Sequence, residues 1–129
     1  MKETSCVMVC TTLPTTVDAT EFARVLVERR LAACVQILKP VRSVYRWKED
    51  IECEMEQPLQ MKTTTNRIDE LVDQIRGLHP YEVPEVLIFE ADGGSRDYQE
   101  WVQKETAAVK NPVSDKAEDK KTSDEEKKK

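Results

Sequence analysis

A chain of 129 residues has the length of one domain, enough to bury a single core. From Asn111 onward six acids and six lysines cancel, so the net charge of −5 belongs to residues 1–110, expected as the folded domain. Such an acidic body excludes the basic patch needed to grip a phosphate backbone, so nucleic acid is not expected as a partner. The segment 111–129 has no aromatic and almost nothing to bury, which predicts a disordered charged tail.

"CVMVC", Cys6 to Cys10, is an apolar run of β-formers that predicts a central strand, broken by "TTLPTT". Asp18 and Glu21 have the spacing of a capping box. Ala19, Phe22, Ala23 and Leu26 then mark a helix running to about Arg30. "LAACVQIL" reads as a second strand, bent at Lys39-Pro40 and resumed in "VRSVYRW". Strict alternation from Glu52 to Lys62 gives a third strand, in which Pro58 predicts a bulge or an unpaired edge. Thr65 or Asn66 is the expected cap of a second helix whose stripe is Ile68, Leu71, Val72, Ile75 and Leu78. Gly77, His79 and Pro80 end it; "PEVLIFE" is a fourth strand, and a last helix starts near Ser95 with Tyr98, Trp101 and Val102 on its apolar face.

The order β-α-β-β-α-β with a C-terminal helix predicts an α+β, ferredoxin-like sandwich. The hairpin arms, Ala32 to Trp47 and Ile51 to Lys62, exceed the usual strand of about five or six residues. They overhang a four-stranded sheet and carry Tyr45, Trp47, Cys53 and Met55 beyond it. A second subunit is expected to cover them.

The four cysteines form no C-x-x-C pair and no dense disulfide framework, which predicts free thiols in a reducing, cytoplasmic setting. No signal-peptide pattern is read at the start, and no stretch approaches the roughly 18 apolar residues of a membrane span. Catalytic motifs are lacking: there is no P-loop, no H-E-x-x-H and no nucleophile elbow. A Cys/His nucleophile pair is the remaining enzymatic reading, and nothing marks an activated thiol.

His79, the single histidine, has a plain role as a helix C-terminal residue before Pro80. It also has a sharper one. In the expected sheet the end of the first strand meets the start of the last, which brings Cys10, His79 and Glu85 together, a donor set suited to copper. Glu52, Glu54 and Glu56 read as a solvated acidic face, and Tyr45, Trp47, Tyr81, Tyr98 and Trp101 as core or interface.

"ERRLAACVQI", "SVYRWKEDIE", "MKTTTNRIDEL" and "LHPYEVPEV" together resemble the CutA1 divalent-cation tolerance family, from about Cys6 to Trp101. The resemblance implies a split sheet of the same order and a homotrimer like that of the PII signalling proteins, with hairpins pairing between subunits. It also implies tolerance to copper and other divalent metals, and no established reaction; eukaryotic members are linked to protein processing and membrane anchoring. Carried over, the family's copper ligands fall on Cys10 and on a His-His pair before Pro-Tyr. Only His79 of that pair is present; Leu78 stands in the first place, and Glu85 is our substitute. Pro58 and Gln60 depart from the family's fully apolar strand. The family's intersubunit cleft maps to Trp47, Lys62, Tyr81 and Glu85, a set suited to a small anionic ligand. Two functions follow: copper binding or sensing without catalysis, and a PII-like module holding a small anion.

Overall fold

The computed structural model describes residues 5–108, so the expected tail lies outside the described residues. Strand β1 (Cys6–Pro14) leads to helix α1 (Ala19–Glu28), then β2 (Cys34–Ile37), β3 (Val41–Trp47) and β4 (Asp50–Thr64). A 3-10 turn, Thr65–Arg67, enters α2 (Ile68–Leu78), followed by β5 (Leu87–Glu90) and α3 (Arg96–Glu105). The sheet order is β2-β4-β1-β5, with β3 also paired to β4 and every pairing antiparallel. This is the expected α+β arrangement.

Alternation along β1 divides the sheet's faces. Val7 and Val9 point into the core with Leu59 and Met61 of β4, beneath Phe22 and Leu26 of α1 and Leu71 and Ile75 of α2. Cys6 points the other way, buried with Ala33 and Val102 under α3. The Asp18 carboxylate caps α1 by accepting from Glu21 N–H at 3.1 Å. At the other end Arg30 takes a left-handed φ of 59°, Leu31 N–H bonds back to Leu26 O, and Arg30 N–H to Val27 O. That pattern is a Schellman stop built on a non-glycine residue.

Two expectations are corrected. The first strand runs on to Pro14, because Thr11 to Pro14 pair in register with Leu59 to Glu56. Neither Thr65 nor Asn66 caps α2: the 3-10 turn comes first, and the residue before the helix, Arg67, makes no side-chain cap. Pro58 stands beside the expected bulge: on the side of β2 and β3 the register steps by one residue, from Ile37 opposite Leu59 to Val41 opposite Glu56. Pro58 itself sits within β4, opposite Thr12 of β1, and its carbonyl accepts from Leu38 N–H at 2.9 Å.

A strand residue aims its N–H and C=O to the same side, so the missing N–H of Pro58 faces Leu38 O. The Gln57 side chain fills that place, donating from Nε2 to Leu38 O at 3.2 Å. Here the edge partner of β4 changes from β2 to β3. Beyond Glu56, β3 and β4 leave the sheet as a two-stranded ribbon. One face carries Tyr45 and Trp47 opposite Glu52 and Asp50; the other carries Val44 opposite Cys53, beside Ile51 and Met55. Val44 and Ile51 are 67% and 62% exposed.

Candidate functional site

His79 follows the last residue of α2, its N–H bonded to Ile75 O at 2.9 Å. The ring is buried, edge-on to Phe22 of α1 and tilted 47° against Tyr81 at 4.8 Å. Nε2 lies 2.6 Å from Thr12 O, and a carbonyl only accepts, so Nε2 carries the hydrogen. Nδ1 is then the acceptor and takes the Tyr81 N–H at 3.1 Å. Both nitrogens of the neutral ring are committed. A metal at either one would displace a buried hydrogen bond, so this geometry favours the plain role of His79.

Tyr81 continues the chain of contacts by donating its hydroxyl to Glu56 Oε2 at 3.0 Å. Glu56 sits where β4 meets both Pro14 of β1 and Val41 of β3, and it is buried. The expected solvated face therefore ends at Glu54, because Tyr81 covers the next carboxylate. Burial, then the bond to Glu56 and its charge, push the Tyr81 phenol well above its ordinary range. Tyr45 is pushed up to about 12, by loss of water first and then by Glu54 and Glu56.

Cys10 is half-buried near the middle of β1, opposite Gln60 of β4 and Leu87 of β5. Its thiol is pushed up by burial first and by the Glu85 carboxylate second, while Lys62 pulls the other way. A raised thiol is the opposite of an activated nucleophile, which leaves the Cys/His enzyme without support. The structure thus brings Cys10 and Glu85 into electrostatic contact at the β1–β5 edge. His79 is spent on Thr12 and Tyr81. Among the described residues, no group of three or more His, Cys, Asp or Glu side chains is placed to hold a metal ion.

The cleft residues are spread out. Lys62 pairs with both Met8 and Cys34 and donates to Gln36 Oε1 at 2.9 Å. Trp47 is at the ribbon's tip opposite Asp50, with the Lys48 ammonium 5.4 Å from its ring. Asp50 and Lys62 are the two ends of about 40 Å of strand. Within one chain Trp47 cannot join Lys62, so this cleft requires another copy. Sequence reasoning missed Glu56, Thr12 and Gln57 as the polar partners of this region. Only the Gln57-Pro58 adjacency was a usable signal.

The family model of the CutA1 divalent ion tolerance protein matches residues 7–105. A divalent-cation tolerance protein CutA from Thermus thermophilus is 38% identical over 99 residues, 77% of this chain and 96% of that protein. Human protein CutA is 38% identical over 103 residues, 80% of this chain but 58% of its own length. The chain thus spans little more than half of that animal relative. Among solved structures, CutA1 from the psychrotrophic bacterium Shewanella sp. SIB1 superposes with a TM-score of 0.78 at 34% identity, covering 83% of this chain and all of that one. The Thermus thermophilus structure gives 0.75 at 38% identity, over 78% of this chain and 98% of its own.

Proposed function

Because this chain belongs to the CutA1 divalent ion tolerance family, we propose that it serves copper tolerance by binding the ion as a cytoplasmic homotrimer, without catalysis. The observation that carries this reading is the meeting of Cys10 and Glu85. Two groups that ionise to anions repel each other there, and that repulsion is part of what holds the thiol protonated. A cation between them removes the repulsion and takes the place of the thiol proton. Thiolate and carboxylate donors suit copper or a related transition metal. Among the described residues no third His, Cys, Asp or Glu side chain joins these two groups, so other donors complete the shell. His79 acts as the post that fixes this end of the sheet. The free thiols fit a reducing compartment, and no helix among the described residues is long and apolar enough to cross a membrane. The exposed ribbon, with Val44 and Ile51, suits pairing between subunits.

An anaerobic copper titration by calorimetry tests the reading. Saturable binding is expected in the native protein, lost in Cys10→Ser and weakened in Glu85→Gln, with His79→Ala retaining it at temperatures where it stays folded. Equal heats in native and Cys10→Ser protein would overturn it. Affinity is also expected to rise about tenfold per pH unit below the thiol's raised pKa, since one proton leaves as the metal binds.

One observation favours the second reading, a small anion held between subunits. Lys62 bonds a neutral amide and makes no ion pair among the described residues, so its charge is left to a ligand. In that case Lys62→Met abolishes binding of a polyphosphate probe, and Cys10→Ser does not.

A further inference from the structure

The sequence C-x-M-x-C in β1 sets three sulfurs on one face of the sheet, since alternate strand residues share a side. The core takes Val7 and Val9, so Cys6, Met8 and Cys10 stand on the opposite face. Electrostatics agree with this placement: the Lys62 ammonium, level with Met8, is felt by both the Cys6 and the Cys10 thiols. Cys6 is closed in with Ala33 and Val102 beneath α3. Met8 and Cys10 are only half-buried, with Phe89 and Leu87 of β5 beside them, 50% and 53% exposed.

We propose that the copper held at Cys10 is cuprous, and that the Met8 thioether is its second sulfur ligand. This rests on the reading of Cys10 as a metal ligand and specifies the ion and a further donor. Alternate Cα atoms on a strand are roughly 6.6 Å apart. A two-coordinate ion needs its sulfurs separated by about 4.6 Å, twice a metal–thiolate bond of about 2.3 Å. The flexible methionine side chain can lean along the strand to close that difference.

Three features select a soft monovalent ion. Thiolate and thioether favour Cu(I) over harder ions. Two or three ligands satisfy such an ion, whereas no cluster of three or more His, Cys, Asp or Glu donors is available among the described residues. Lys62 stands in the same row and repels a single charge half as strongly as a double one. Its ammonium is turned toward Gln36 on β2, away from β1. The ion arrives already reduced, so no electron is exchanged. The thiol proton goes to solvent as the sulfur–metal bond forms.

The test is an anaerobic competition of the full-length protein against bicinchoninate for Cu(I), with Zn(II) calorimetry alongside, in native, Met8→Leu and Cys10→Ser proteins. Leucine keeps the volume of methionine, and circular dichroism confirms the fold. Met8→Leu is expected to weaken Cu(I) by about tenfold or more and leave Zn(II) unchanged. Cys10→Ser is expected to weaken both. X-ray absorption of the Cu(I) form is expected to show two sulfur neighbours in the native protein and one in Met8→Leu. Undiminished Cu(I) affinity in Met8→Leu, with loss in Cys10→Ser, would overturn the thioether and leave the Cys10–Glu85 reading standing. Equal weakening of Cu(I) and Zn(II) by Met8→Leu would overturn it as mere disturbance of the strand. No effect of either substitution would overturn both.

Discussion

Tyr81 donates a hydroxyl hydrogen bond to a carboxylate that is only 3% exposed, and it reaches across 25 positions of sequence to do so. Tyr81→Phe keeps the ring and removes that donor from Glu56. A buried acceptor that loses a partner costs about 1–3 kcal/mol, so a loss of that size is expected in urea unfolding at neutral pH. Little or no change would mean that Glu56 is satisfied without Tyr81. Alternation alone assigned Glu56 to the same face as Glu52 and Glu54, which was right. It could not tell which residue of another element would lie over it. The same limit applied to His79. Its position as a helix stop was legible from Gly77 and Pro80, but the Thr12 carbonyl that occupies its ring belongs to a distant strand.

Among the elements, β4 carries the clearest conflict between local preference and tertiary pairing. A proline in a central strand should leave one acceptor short, and Gln57 supplies the missing donor from its side chain. Gln57→Leu is therefore expected to destabilise by about 1–2 kcal/mol, through the stranded Leu38 carbonyl. Adding Pro58→Val restores a backbone N–H at that place, so the double variant is expected to recover most of the loss. A double-mutant cycle by chemical denaturation checks this; purely additive effects would show that the two residues act independently. Helix and strand order was legible because periodicity is local. The division of one predicted arm into β2 and β3 was signalled by Lys39-Pro40. What lay outside any local pattern was the pairing of β4 with β1 as far out as Pro14 and Glu56.

For the whole molecule, the distribution of apolar surface points to association. Ile51 and Val44 are exposed on the ribbon, and Leu87 and Phe89 on the open sheet face. If the protein assembles as the proposed homotrimer, Val44→Glu is expected to shift it toward smaller species in sedimentation velocity, with unchanged circular dichroism. A native protein that sediments as a monomer at all concentrations would refute trimeric assembly outright. The core is insulated from such changes: Leu59 is fully buried, and Leu59→Ala is expected to cost about 2–5 kcal/mol. The long β4 also gives the molecule two clocks. Amide protons of residues 59–62 are held between strands on both sides and exchange with deuterium only when the sheet opens as a whole. Those of residues 51–55 rest on β3 alone, so in an isolated chain they exchange through brief fraying of the ribbon tip. Along one continuous strand, the rate of isotope uptake thus becomes a ruler for assembly: it slows at the outer end as copies gather, and hardly moves at the inner end.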